Sequence, residues 1–303
     1  MSPPAVEVEA LSKLYGPRPA LNGLSFALPL GSLGGLAGPN GAGKTTALRV
    51  LLGMVRPTGG GATVLGHSIA HPERYLARVG ALIEGPGFHP ALTGRRNLQV
   101  LARLGGVAGS SVDAVLDQVA LAARADDRYG SYSLGMKQRL GIAAALLRQP
   151  ELLVLDEPMN GLDPAGMREI RALLRDLVVS GVTVLVSSHL LAELQQICDH
   201  LVVIRAGRLV FEGPVDELLE AATRPALVAR AEIAFDTPRL VELCAAAGYP
   251  ASVVDDCVQV AAPTAWAGEL NRRAMRDGIT LVRLSTTQRS LEDAFLDLTE
   301  AGR

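Results

Sequence analysis

Lysine is nearly missing from this chain. Among 303 residues only Lys13, Lys44 and Lys137 occur, and arginine carries almost all of the positive charge. The formal net charge is −2, so nothing marks a surface that would hold a nucleic-acid backbone, and no nucleic-acid partner is expected. Cysteine is as scarce. Cys198, Cys244 and Cys257 are odd in number and scattered, which argues against a disulfide framework and a thiolate metal site. Their number also suits a reducing, cytosolic compartment. Long apolar runs are absent too, although 49% of the residues are hydrophobic. The most apolar stretch, Leu177 to Val186, is broken by Ser180-Gly181 and is too short to span a bilayer. The amino terminus, with Pro3-Pro4 and Glu7, does not read as a signal peptide. The length allows one large domain and a small one.

Where lysine is so rare, its placement carries information. Lys44 closes the run Gly38-Pro39-Asn40-Gly41-Ala42-Gly43-Lys44-Thr45, which fits the phosphate-loop pattern G-x-x-x-x-G-K-[ST], and Thr46 follows. The apolar run Leu33 to Ala37 predicts a buried strand entering the loop, and Ala47 to Gly53 predicts a helix leaving it. Glycines there let successive backbone N–H groups turn toward a polyphosphate at the positive end of the helix dipole. Lys44 is then expected to reach the β- and γ-phosphates of a nucleoside triphosphate, and the Thr45 hydroxyl to hold Mg²⁺.

Such a loop needs a carboxylate at the end of a neighbouring strand. Leu152-Leu153-Val154-Leu155 supplies four apolar residues and Asp156-Glu157 follows. Asp156 is expected to order Mg²⁺-bound water, and Glu157 to act as general base on the attacking water.

Elsewhere, strands are predicted at Val6 to Ala10, Leu21 to Leu28, Ala62 to Leu65 and Val79 to Ile83, with a helix near Pro72 to Arg78. From Thr93 to Arg148 Leu and Ala recur at helical spacing, which reads as a helical insertion over about 93–149. Strand and helix then alternate: Leu152 to Leu155, Pro164 to Val179, Val182 to Ser187, Leu190 to Ile197 and Leu201 to Ile204. That alternation argues for a parallel sheet with helices on its faces. A turn at Arg205 to Arg208 leads into Leu209 to Phe211. A boundary falls near Ala222 to Pro225. Beyond it come a strand at Ala226 to Ala234, a helix at Pro238 to Ala247 and a hairpin at Ala251 to Val260 turning at Asp255-Asp256. A helix at Thr264 to Arg276, a strand at Ile279 to Leu284 and a helix at Ser290 to Leu298 follow. The order β-α-β-β-α-β-α suggests a ferredoxin-like module.

With Gly38 to Thr46 and Leu152 to Pro158, three further segments make residues 5 to 215 resemble the nucleotide-binding subunits of ABC transporters. Tyr132 to Arg139 is similar to the signature sequence of that family. Asn160-Gly161-Leu162-Asp163-Pro164 resembles the loop after the catalytic glutamate, and Ser187-Ser188-His189 the switch-histidine segment. The resemblance implies that Ser133 and Gly135 form an anion site at a helix N-terminus, closing on the γ-phosphate of ATP held by a second subunit. It implies that Asp163 contacts that subunit, that His189 orients water beside Glu157, and that Tyr15 stacks on adenine. Two residues depart from the family's pattern. Glu84 stands where the family usually has Gln and is assigned a Mg²⁺ contact. Leu134 and Met136 stand where Gly and Gln are common. Both departures, and Ser290 to Phe295, resemble a branch linked to antibiotic export.

The expected architecture is therefore α/β: a phosphate-loop NTPase of the ABC cassette type over 1–222, with a parallel sheet core, an antiparallel β subdomain and a helical insertion. A small α+β ferredoxin-like domain over 223–303 completes it. The implied cofactors are ATP and Mg²⁺. The implied partners are a second copy of the chain, forming a homodimer, and an integral-membrane permease subunit on a separate chain. The implied location is cytoplasmic, peripheral on the inner face of the cell membrane. A helix of the permease is expected in a groove near Glu84 to Leu98, where Ile83, Phe88 and Leu92 are apolar. The alternatives are a soluble ATPase clamp acting on ribosomes or DNA, and an importer subunit.

Overall fold

The computed structural model describes residues 3–85, 87–217 and 226–287. Contacts divide the chain into two units, Met1–Val215 and Asp216–Arg303. The expected boundary at 222–225 and the helix expected at Ser290 to Leu298 lie outside the described residues.

The first unit holds two sheets. β1 (Val6–Tyr15), β2 (Arg18–Leu28), β4 (Gly59–Val64) and β5 (His67–Ser68) form an antiparallel sheet in the order β2-β1-β4-β5. The second sheet comprises β3 (Leu33–Ala37), β6 (Val79–Leu82), β7 (Leu152–Asp156), β8 (Thr183–Ser188), β9 (His200–Arg205) and β10 (Arg208–Pro214). Its order is β10-β9-β3-β8-β7-β6, parallel throughout except for β10 on β9. β3 and β8 are buried along their whole length and β7 up to Asp156, as a parallel sheet covered on both faces requires.

One apolar core joins the two sheets. Leu24 and Phe26 of β2, Leu36 of β3, Leu185 of β8 and Val202 of β9 share it with Leu48 of α1 (Lys44–Leu51). The helical stretch contains α2 (Gly94–Leu104), α3 (Ser110–Gln118) and α4 (Leu134–Leu146). Asn97, almost fully buried, ties the preceding loop to α2: its Oδ1 accepts from His89 N and its Nδ2 donates to the His89 and Thr93 carbonyls. α5 (Pro164–Val179) and α6 (Leu191–Gln195) follow β7 and β8.

Several sequence expectations change in this unit. β1 runs on to Tyr15, because Ala10 adopts φ 44° and the register shifts past it instead of ending the strand. The segment Pro72 to Arg78 forms two 3₁₀ turns rather than one helix. Pro72 stands at the start of the first turn, and Tyr75, between the two, turns inward to be fully buried. The helix expected over Leu190 to Ile197 spans only Leu191–Gln195.

In the second unit β11 (Ala226–Ala231), β12 (Ala251–Val254), β13 (Cys257–Ala261) and β14 (Leu281–Thr287) pair antiparallel in the order β12-β13-β11-β14. α7 (Thr237–Ala246) joins β11 to β12, and α8 (Ala267–Arg276) joins β13 to β14. Leu227, Ala229, Val258 and Val260 from the strands meet Leu240, Cys244, Leu270 and Ala274 from the helices in a core of its own. β11 stops before Ala234, where a 3₁₀ turn over Ala234–Asp236 begins. Among the described residues no helix is long and apolar enough to cross a membrane.

Candidate functional site

The parallel strands β3, β7 and β8 end together. Ala37 is the register partner of Ser188, and Asp156 that of Ser187. Ligands of such sheets bind beyond these carboxyl ends. The chain leaves β3 through Gly38 to Gly43 and enters α1 at Lys44. Gly43, the N-cap residue, has φ 108°, and a Cβ there would lie 2.5 Å from the Ala20 carbonyl oxygen, so only glycine fits. No side chain caps α1 and no acid stands in its first turn. Its terminal N–H groups and dipole are thereby left to an anion. The loop is held from outside by the turn after β9, where Gly207 N donates to Ala42 O at 2.9 Å and the Gly207 carbonyl accepts from Asn22 N at 2.8 Å.

Lys44 is only 6% exposed. Its Nζ donates to the Gly38 carbonyl at 2.7 Å and lies 3.2 Å from Glu157 Oε1. Glu157 Oε2 accepts from His189 N at 3.3 Å and lies 2.8 Å from His189 Nδ1. One carboxylate thus spans the phosphate-loop lysine and the histidine after β8. Beside it, Asp156 Oδ2 accepts from Thr45 Oγ1 at 2.8 Å, and Asp156 Oδ1 from Ser187 Oγ at 2.5 Å. These groups border a cleft of about 430 Å³, lined by residues 40–46 with Ala20, Glu157, Asn160 and His189. The cleft is of ligand-site size, cationic at Lys44 and rich in backbone donors.

The structure thus brings Asn40 to Thr46, Asp156, Glu157 and His189 together, with Gly38 and Pro39 at the root of the loop. It leaves Ser133, Gly135, Asp163, Tyr15 and Glu84 outside the cleft lining. Ser133 caps α4, its Oγ accepting from Met136 N at 3.2 Å, with Gly135 in the first turn. Asp163 caps α5, accepting from Gly166 N at 2.9 Å. Tyr15 is half exposed at the end of β1, with Lys13 Nζ 5.1 Å from its ring centre.

Glu84, given a Mg²⁺ contact by the resemblance, pairs with Arg49 of α1 in this structure and is not among the residues that line the cleft. Its backbone turns at φ 62° just past β6, and its side chain is 66% exposed. Three cleft or support residues carried no role in the sequence reading: Ala20, Asn160 and Ser187. The usable signal for Ser187 was an apolar strand ending in two serines, but its role needs the β7–β8 register.

A family model described as ABC transporter matches residues 21–160. The chain is 39% identical, over 98% of its length and 97% of the relative's, to the bacitracin transport ATP-binding protein BcrA of Enterococcus faecalis. It is 37% identical to the lantibiotic transport ATP-binding protein SrtF of Streptococcus pyogenes, over 70% of this chain and 91% of that protein. Among solved structures it is similar to an ATP-binding cassette in a dimeric post-hydrolysis state bound to ADP and Pi. The TM-score is 0.61, with 69% of this chain and 98% of that chain covered. At 22% identity that likeness bears on the fold alone.

Proposed function

The chain belongs to the ABC transporter family as an ATP-binding subunit and ATPase, and from that premise we propose that it powers export of a peptide antibiotic through a separate integral-membrane permease. The two relatives named for bacitracin and lantibiotic transport support this substrate class. They favour it over a ribosome or DNA clamp and over an importer. The chain would then work at the cytoplasmic face of the membrane, bound to its permease.

The observation that carries the reading is the placement of Glu157 between Lys44 and His189. Lys44 is paired with Glu157 in this structure. A triphosphate on the uncapped start of α1 takes over Lys44 and releases the carboxylate. Glu157, still held through Oε2 by His189, then faces the terminal phosphate and accepts the proton of the attacking water. Thr45 Oγ1 and Asp156 fit a hard, oxygen-seeking cation. Among the described residues no cluster of three or more His, Cys, Asp or Glu could hold a metal. Mg²⁺ needs none, since it is usually held by one or two protein oxygens with phosphates and water. When bound, Mg²⁺ neutralises charge on the β- and γ-phosphates.

Following the resemblance, Tyr15 is assigned to the adenine, Ser133 and Gly135 to the nucleotide of a second copy, and Asp163 to contact with that copy; none of the last three lines this chain's own cleft. The working unit is therefore a homodimer. The second unit is assigned a ferredoxin-like fold on its βαββαβ connection and strand order, and a role as an accessory domain distinct from the cassette.

The test is Mg²⁺-dependent ATP hydrolysis by the full chain and by Glu157→Gln. The variant keeps nucleotide binding and loses about 10²–10⁴-fold in turnover, the usual contribution of a general base. Full turnover in that variant would remove Glu157 from the role. Bacitracin or lantibiotic susceptibility of cells with and without the chain and its permease tests the export assignment.

A further inference from the structure

We propose that Ser187 is a positioning residue for ATP hydrolysis, a single buried hydroxyl that fixes both the Mg²⁺-side carboxylate of Asp156 and the backbone of the general base Glu157. The inference rests on the ATPase reading above. Parallel pairing of β7 with β8 sets Ser187 opposite Asp156, and Ser187 is fully buried. Its Oγ–H donates to Asp156 Oδ1 at 2.5 Å, and the same oxygen accepts the N–H of Glu157 at 3.0 Å. Both of the hydroxyl's functions are used, one on each carboxylate residue.

Two features make this more than a satisfied core serine. Among the described residues Asp156 has one other side-chain hydrogen bond, from Thr45 Oγ1 to Oδ2. Thr45 is also the hydroxyl assigned to the metal, and it can offer a lone pair to a cation while its O–H stays on Asp156. Thr45 and Ser187 thus hold Asp156 from its two oxygens, and Ser187 alone of the two also reaches the backbone of Glu157. Glu157 in turn adopts φ 50°, a conformation a side-chain-bearing residue rarely takes. Its peptide N–H is pinned by Ser187 while its Oε2 is held by His189, two residues further along the same segment. Residues 187 to 189 therefore grip the base at both ends, backbone and carboxylate.

The experiment compares the full chain with Ser187→Ala, Ser187→Thr and a control, Thr183→Val. Thr183 lies at the other end of β8, is fully buried and accepts from Gly31 N at 2.9 Å. Its variant removes a comparable hydroxyl far from the cleft. Ser187→Ala is expected to lower kcat by about 10–100-fold, the range for outer-shell partners, with KM for ATP changed by less than about 3-fold. Half-saturation by Mn²⁺, read by electron paramagnetic resonance with a non-hydrolysable ATP analogue, is expected to need about 10–100 times more metal. Ser187→Thr restores both readouts, and Thr183→Val lowers the melting temperature but moves neither.

Where Ser187→Ala does not fold, Ser187→Cys, with a weak S–H donor of similar shape, carries the same comparison. The inference is overturned by unchanged kcat and Mn²⁺ half-saturation in the variant, or by a Ser187→Thr that folds and fails as Ser187→Ala does. Absence of Mg²⁺-dependent hydrolysis in the unaltered chain would instead overturn the ATPase reading itself.

Discussion

Glu157 holds a φ of 50° while carrying a full side chain, a conformation that costs about 1–2 kcal/mol. Its contacts to Ser187, His189 and Lys44 offset that cost, and all of them lie at the cleft. Strain kept at the residue that does the chemistry is a sign of preorganisation. A second residue shows the opposite logic, stability without chemistry. Tyr75 is fully buried, and its hydroxyl donates to the Leu51 carbonyl at 2.7 Å. That carbonyl ends α1, where no intrahelical donor is available. Tyr75→Phe leaves it unpaired and is expected to cost about 1–3 kcal/mol, read as a lowered midpoint in urea. Burial, then the Glu73 carboxylate, push the Tyr75 phenol up to about 12. A raised pKa stabilises fully below the unfolded value, near 10, and that stability is lost as pH rises through the folded value. The gap between the native chain and Tyr75→Phe should therefore be widest below pH 10 and shrink between about pH 10 and 12. At this scale the sequence was readable where chemistry demands a rare residue pattern, as at Lys44 and Asp156-Glu157. It was silent where a role comes from register, as at Ser187. The Glu84–Arg49 pair was not legible either, because it depends on the left-handed turn after β6.

Helix starts carry much of the site, and capping decides where they fall. Ser133 caps α4 and Asp163 caps α5, each side chain accepting from the N–H three residues on. α1 alone of the three lacks a side-chain cap, and it is the one assigned to phosphate. α5 also shows why the sequence marked it so clearly. Ile170, Leu173, Leu174 and Leu177 are buried at helical spacing, one apolar stripe packing on β3 and β8. Pro164 occupies the first turn, where its missing N–H is harmless. Periodicity, proline and cap agree there, whereas at Pro72 to Arg78 they conflict and two 3₁₀ turns result. Asp163→Ala is expected to cost about 0.5–2 kcal/mol through the lost cap. Thermal melting checks it, and Asp163→Asn, which keeps an acceptor, should recover most of the loss. If Asp163 also meets a second subunit as assigned, Asp163→Asn will keep the melting temperature and still lower turnover.

At the scale of the molecule, the cleft of one chain is lined by phosphate-loop residues, Glu157, Asn160 and His189, and by none of Ser133, Gly135 or Asp163. In the proposed pair each chain supplies its loop to one ATP and its α4 N-terminus to the other. Closing such a pair from 1:99 to 99:1 takes about 5.5 kcal/mol of differential affinity. That is within reach of a γ-phosphate that gains the α4 amides only on closure, and its removal by hydrolysis reopens the pair. Glu157→Gln separates binding from hydrolysis, so with Mg²⁺ and ATP it should sediment as two chains, and with ADP as one. Adding Ser133→Arg discriminates this from any other route to association. Ser133 lies outside the cleft and is exposed at the start of α4, so ATP should bind the double variant as before. An arginine facing the partner's loop and its Lys44 would block closure, and the double variant should sediment as one chain even with ATP. A two-chain species that survives this substitution would place the interface elsewhere, and the nucleotide cleft would then have to work within a single chain.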